Sequence, residues 1–527
     1  MTRRKTTVFA SLLLFGAVGC ADLSIDNPNA PGRAQVVTGT TDLEALVGGS
    51  FESFWYAQNN FNSPFLFLST AAFEHSGMAA NFGMVAHSAI PRAAIDNSPV
   101  GPFAEQLEYS WDRWYRTIAA ANDGLVGIGD RRIADDAVRT ERMKAFAHFM
   151  RGLSHGYLAL TYSDAFIIPA DFAYNEDAVP AEQGLELSSY GQVMDAAFAD
   201  LDRAMAIAQA TDFTIAAGDG WVPGLSITSN RMIALIHSFK ARFMAEMART
   251  PDERAAVDWA QVISHIQAGI TDDFAPVMDN LTWWAGGVYY PNALWGPWGK
   301  VPMMMHGMAD QSGNYQSWLA TPLTDRLPFE ITTPDHRFPQ GTPGAEGFTQ
   351  GLYVSRSIGG QGNPERGTWR WSNYLDSRWW ARNFAGLLGP HPWLTQRELR
   401  LLHAEALYRL GDRGGAADLI NVTRVANGKL SPANAAGTND SCVPKLPDGS
   451  CGGLFEQLKW EKRLETYHER LGGWFFDSRG WGDLVENTYL HLAPPGRDLQ
   501  NFGLAVYTFG GPGDPDSAGP SNYDFGF

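Results

Sequence analysis

Apolar residues recur every three or four positions through the first half of the chain, the period of a helix that buries one face. Leu43, Leu46, Val47, Phe51 and Phe54 share one side of a helix predicted over 42–56, with Thr41 placed to cap its start. Trp111, Trp114, Tyr115, Ile118, Asn122 and Leu125 behave alike over 111–128, and Met143, Phe146, Met150, Leu153, Tyr157 and Leu160 over 142–162. Val193, Ala197, Leu201, Met205 and Ala208 mark 190–208, and two further helices are expected over 230–249 and 259–270. None of these segments alternates with the period of two that a half-buried strand needs. The expected fold class is therefore mainly α, built of tetratricopeptide-like helix pairs. The spacing does not keep a strict period of about 34 residues, so helix pairs are expected rather than a regular solenoid.

The pattern changes at about residue 271. From there to about 392 Gly, Pro and Trp are frequent and helical periodicity fades, and so long a loop-rich stretch inside an ordered chain is usually functional. A helical hairpin then returns over 396–410 and 415–426, with Gly411 as the stop between them, and a further helix is predicted over 454–471. The tail beyond Pro494 is rich in Gly and Pro and is expected to lie over the surface. The chain thus divides into 1–19, 20–40, 41–270, a loop-rich and aromatic-rich region at 271–392, and 393–527.

The first forty residues have their own character. Arg3, Arg4 and Lys5 precede an uncharged run over 6–18, too short for the roughly 20 residues of a spanning helix, which reads as an export signal. It ends at Ala17, Val18, Gly19 and Cys20, the small-residue-then-cysteine pattern at which a lipoprotein is acylated and cut, so Cys20 is the expected lipidation site. Residues 20–40 hold turn formers and little that could join a core, as a tether would. With Cys20 acylated, Cys442 and Cys451 remain, bracketing a Pro- and Gly-containing loop, and a disulfide between them is the economical pairing in an exported chain.

Charge narrows the partners. The formal net charge of −17 becomes −20 without the three leader cations, which argues against nucleic acid and against adhesion to an anionic lipid surface. No later segment reads as a membrane span, so membrane attachment is expected through the lipid anchor alone. No metal-ligand spacing and no cofactor motif is present, so neither a metal nor a cofactor is expected. One catalytic pattern occurs: Gly152, Ser154 and Gly156 fit the G-x-S-x-G nucleophile elbow. That elbow needs a strained turn between strand and helix, whereas here it falls inside a helical run, so small residues for close helix approach are the better reading.

The segment WEKRLETYHERLGGWFFDSRGWGDL over 460–484 resembles the C-terminal signature of the SusD/RagB family, through Glu461, Arg463, Glu465, Glu469, Gly473, Trp474, Asp477, Arg479, Trp481 and Gly482. Gly480, between the Arg and the Trp, departs from it. Arg397, Glu398, His403, Ala404, Glu405 and Ala406, with Asn421, Arg424 and Gly428, resemble the preceding hairpin. Trp111, Asn122, Arg151, Tyr157, Tyr162 and Asp164 resemble the early helices, and Cys20 to Leu23 with Asn27, Pro28 and Asn29 the lipoprotein start. The resemblance implies a SusD-like surface lipoprotein of the outer membrane, not an enzyme, that binds a nutrient and passes it to a TonB-dependent (SusC-like) transporter. The signature charges need touch no ligand, because their helical spacing suits bridges to neighbouring helices around a buried stripe of Leu464, Tyr467 and Leu471.

Ligand binding is instead sought in aromatics. Trp283, Trp284, Tyr289, Tyr290, Trp295 and Trp298 put six rings in sixteen residues. Flat rings stack on the C–H faces of sugars, so these six are the candidate ligand-binding residues, the alternative being packing of a loop-rich region. A second cluster, Trp369, Trp371, Tyr374, Trp379, Trp380 and Phe384, is expected to serve packing. The ligand suggested is a glycan or oligosaccharide, with a peptide open. The rival functions are a surface glycoside hydrolase, which needs two carboxylates across a cleft, and a non-catalytic helix-repeat scaffold.

Overall fold

In the computed structural model residues 39–172, 182–285, 299–360, 362–381 and 385–527 are described. The leader, Cys20 and the tether as far as residue 38 lie outside the described residues, as do Tyr289, Tyr290, Trp295, Trp298 and Phe384.

Helices carry the first half: α1 Thr40–Asn59, α2 Phe65–Ala71, α3 Ala104–Ile128, α4 Ala137–Thr161, α5 Tyr190–Ala210, α6 Ser229–Glu246 and α7 Trp259–Gln267. The apolar stripes read above point inward. Leu43, Val47, Phe51 and Phe54 of α1 and Met143, Phe146, Met150, Leu153, Tyr157 and Leu160 of α4 are all fully buried. α1 packs on α3, α3 on α4, α4 on α5, α5 on α6 and α6 on α7, the stacking of a helix-pair array. Polar side chains start most of these helices by accepting from a backbone N–H of the first turn: Asp136 for α4, Ser189 for α5, Thr228 for α6 and Asp258 for α7. Thr41 does not do this. α1 begins from Gly39 with no side-chain cap, and Thr41 lies inside its first turn.

The elbow-like triplet lies within α4 and works as a packing device. A Cβ on Gly152 would stand 2.7 Å from Leu201 of α5, and one on Gly156 would stand 2.3 Å from the ring of Phe243 of α6. Both neighbouring helices therefore reach the α4 backbone, and Ser154 is fully buried.

After α7 the chain makes a long excursion before α8, Gln396–Arg409, returns to pack on α7. The described part of that excursion has only short helices, such as Met303–His306 and Asn314–Ala320, and strands of two or three residues. Val354–Arg356 pairs antiparallel with Tyr374–Asp376, and Val277–Met278 with Gly389–Pro390. Gly411 at φ +91 turns the chain from α8 into α9, Arg413–Arg424. A disulfide joins Cys442 to Cys451 with Cα atoms 4.6 Å apart. α10, Leu454–Glu465, and α11, Gly473–Trp481, complete the scaffold.

Three expectations change here. α10 stops at Glu465 rather than continuing to 471, because the next charges are drawn to separate partners. His468 turns back at φ +51, its Nδ1 lies 2.7 Å from Asp376, and Glu469 pairs with Arg378 and Arg397. The signature charges reach loops as well as helices: Glu461 and Glu465 meet Arg337 at 2.7 and 3.1 Å and Arg463 meets Asp483 at 2.5 Å, while Glu461 also accepts from Thr423 of α9 and Glu469 pairs with Arg397 of α8. The tail does not merely lie over the surface. Leu499, Phe509, Tyr523 and Phe525 are buried, and one hydrophobic core runs from Leu43 to Phe525. No helix among the described residues is long and apolar enough to cross a membrane.

A candidate ligand-binding face

Trp283 and Trp284 are the two sequence-nominated rings within the described residues. Both are half-buried. Their backbone is held tightly: Asp279 Oδ1 accepts from the amides of Leu281 and Trp283 at 2.8 Å each, and Tyr56 Oη donates to the Thr282 carbonyl at 2.8 Å. The indole of buried Trp55 donates to the Trp284 carbonyl at 2.9 Å. The two rings then diverge. Trp283 leans on Phe51 of α1, centroids 5.8 Å apart, and so helps to close the core. Trp284 stands edge-on to Phe61 at 4.8 Å, and Phe61 is stacked on Phe82 at 5.4 Å with an 18° angle between planes.

Phe61 and Phe82 were not nominated from the sequence. The available signal was an aromatic set among turn residues, Asn-Phe-Asn at 60–62 and Asn-Phe-Gly at 81–83. Phe82 occupies a left-handed backbone position, φ +54, followed by Gly83 at φ +74, in a short 3-10 turn. Such a position costs a bulky residue about 1–3 kcal/mol and commonly persists where geometry serves a function. Polar groups flank the rings, with exposed Asn81 beside Phe82 and Asn62 Nδ2 donating to Glu105 Oε1 at 2.6 Å. Half-exposed stacked rings beside amides and a carboxylate have the composition of a sugar-binding surface.

Comparison with known proteins gives no match to any family model and none to any curated protein. Solved structures do match. A SusD superfamily protein from Bacteroides vulgatus is 12% identical, with 88% of this chain and 97% of that one covered at a TM-score of 0.54. A SusD-like carbohydrate binding protein from the same organism is 17% identical, covering 93% and 94% at 0.53. A SusD homolog from Parabacteroides distasonis is 12% identical, covering 84% of each chain at 0.50. The chain has the SusD-like fold.

Within this SusD-like fold the C-terminal signature residues are scaffold. Glu461, Arg463, Glu465, Glu469, Trp474, Asp477, Arg479 and Trp481 are all buried. In the second aromatic cluster Trp369, Tyr374 and Trp379 have packing or hydrogen-bond partners, and Trp371 and Trp380 are half-buried. Trp369 is buried edge-on to Phe73, Tyr374 Oη accepts from the Ile331 amide at 2.7 Å, and Trp379 Nε1 donates to the Tyr467 carbonyl at 3.2 Å.

A cavity of about 410 Å³ opens elsewhere, along α3, walled by Trp111, Tyr115, Phe166 and Phe502 with Asp112 and Asp498. Burial and the nearby Asp112 push the Asp498 carboxyl up to about 6. Among the described residues no three His, Cys, Asp or Glu side chains are grouped to hold a metal ion.

Proposed function

We propose that this chain is a lipid-anchored protein of the outer-membrane surface that captures a glycan or oligosaccharide and delivers it to a TonB-dependent (SusC-like) transporter. The observation that carries the reading is the stacked Phe61–Phe82 pair meeting Trp284 beside amide groups on a SusD-like scaffold. Support for a glycan comes from the similar structure described as a SusD-like carbohydrate binding protein. Lipid anchoring rests on Cys20 and the leader before it, and delivery rests on the resemblance of the C-terminal signature. Tyr289, Tyr290, Trp295 and Trp298 belong to the same proposal on their sequence position beside Trp284.

An oligosaccharide panel read by calorimetry tests the binding claim. Trp284→Ala should weaken the best ligand by about 1–2 kcal/mol, the value of one lost stack. Unchanged affinity would move the site away from this face. Reducing-sugar release from the same panel separates capture from hydrolysis, the rival that Asp112 and Asp498 keep open. Cys20→Ser should shift the protein from membrane to soluble fractions. Affinity capture after gentle detergent extraction should recover one large β-barrel protein in near-equal amount, and recovery of this chain alone would refute the delivery step.

A further inference from the structure

Two stretches that reach the candidate face carry no acid, in contrast with the chain as a whole, and Asp279 and Glu105 border the face. The chain carries 57 Asp and Glu against 40 Lys and Arg, yet no acidic residue occurs between Glu74 and Asp96 or between Asp279 and Asp310. Those two stretches supply Phe82 and Trp284. A third segment, 362–372, bonds to the loop that holds Phe82 and has Glu365 against Arg366 and Arg370.

The cations converge on the loop that holds Phe82. Ser76 and Lys300 are paired through their backbones, the Ser76 amide donating to the Lys300 carbonyl at 3.0 Å and Ser76 Oγ accepting from the Lys300 amide at 2.8 Å. Lys300 Nζ donates to the carbonyls of Ser357 and Gly359 at 2.8 and 2.6 Å. Arg366 Nη1 donates to the Met78 carbonyl at 2.8 Å, and Arg370 Nη2 to the Val85 carbonyl at 3.1 Å. Arg92 donates to the carbonyls of Ala71 and His87 at 2.8 and 2.9 Å.

None of these four cations has a carboxylate partner among the described residues. Their hydrogen bonds go to neutral oxygens, and buried Arg370 leaves its Nε without a partner. Several other buried cations have carboxylate partners, Arg242 with Glu398, Arg254 with Glu405, and Arg337 with Asp335 and Glu461, while Arg249, Arg326 and Arg479 are likewise held mainly by carbonyls. Burial with no compensating anion pulls Lys300 down to about 8 and Arg370 to about 10, the latter also through Arg92. Half-buried Arg366 carries one of these charges to the surface, beside exposed Glu365.

We infer that the ligand of this face is an anionic glycan, whose carboxylate or sulfate groups are met by Arg366 backed by Lys300, Arg370 and Arg92, while its ring faces stack on Trp284, Phe61 and Phe82. The inference rests on the glycan-binding reading and adds the charge class of the ligand.

The test uses the full-length protein against neutral, uronate and sulfated oligosaccharides of matched length, with each uronate paired to its carboxyl-reduced form. The acidic form should bind at least about tenfold more tightly than the reduced form, with the preference shrinking as salt rises from about 0.01 to about 0.1 M. The uronate and sulfate arms identify which anion is recognised. Arg366→Gln should lose about fivefold or more toward the acidic ligand and less than about twofold toward a neutral one. Lys300→Gln, checked for folding by circular dichroism, should lower the same preference. Equal or tighter binding of the reduced forms, or an acidic preference untouched in Arg366→Gln, overturns the inference and leaves glycan capture standing. Binding of no oligosaccharide of any charge overturns the capture reading itself.

Discussion

Phe82 combines a strained backbone with a ring in the candidate face, so one substitution separates the two. Phe82→Gly relieves the left-handed conformation at φ +54 and deletes the ring stacked on Phe61. The fold should be unchanged or slightly more stable in urea, while glycan affinity falls by about 1–2 kcal/mol. Parallel loss of both would show that Phe82 is a packing residue. At the helix crossing the expectation differs. Gly156→Ala places a methyl against the ring of Phe243 and should cost about 1–3 kcal/mol in a urea melt. Ser154→Ala, two residues away, removes a buried hydroxyl whose Oγ has no hydrogen-bond partner among the described residues and should stay within about 0.5 kcal/mol of the parent. Hydrolytic activity in the parent that is lost in that variant would reopen the elbow reading.

At the scale of elements, α10 is a helix held by charge as much as by apolar contact. Leu458 and Leu464 are buried, but so are Lys459, Glu461, Lys462, Arg463 and Glu465. Burial alone would pull the Arg337 guanidinium down, yet Asp335 and Glu461 hold it well above its ordinary value. Removing that one cation strands three buried carboxylates, those of Asp335, Glu461 and Glu465. Arg337→Leu should therefore cost about 3–5 kcal/mol, measured as a drop in the urea midpoint. Lys144→Ala, which breaks a partly exposed pair with Glu141 on α4, should change it by less than about 1 kcal/mol. Comparable effects from the two variants would show that the buried network is no more than a set of surface pairs.

At the scale of the molecule, one continuous core joins the helix array, the excursion and the tail, so a local titration is felt globally. His87 is fully buried, stacked on Phe67 with centroids 3.8 Å apart, and burial with the nearby Arg92 holds it down to about 3. The unfolded chain takes up a proton near pH 6.5 that the folded chain refuses. The His87 contribution is thus intact above pH 6.5 and is lost as pH falls toward 3. Against the parent, His87→Phe should gain roughly 1.4 kcal/mol in relative stability for each pH unit below 6.5. Urea melts at several pH values measure that difference, in which other titrating groups cancel. A pH-independent gap would mean that His87 titrates normally in the folded protein.

Helix positions and the mainly α class were legible along the chain, because burying one face imposes a period that any linear reading can find. α4, α5 and α6 lie within a few residues of the spans read from Leu, Met, Phe and Val spacing. The close-approach role of Gly152 and Gly156 was legible too, since the triplet sat in register with apolar neighbours. The density of rings near 283–298 and the scarcity of acid between 279 and 310 are likewise properties of order in the chain. What no linear reading could supply is which distant segments meet. Phe61, Phe82 and Trp284 stand more than 200 residues apart at the extremes and come together only because the excursion folds back over α1 and α2. The same holds for Lys300, Arg366 and the loop at 76–92, and for Arg337 reaching α10. Local periodicity is set by neighbours within a turn of helix, whereas a binding face and a buried charge network are set by contacts whose partners only the tertiary fold selects.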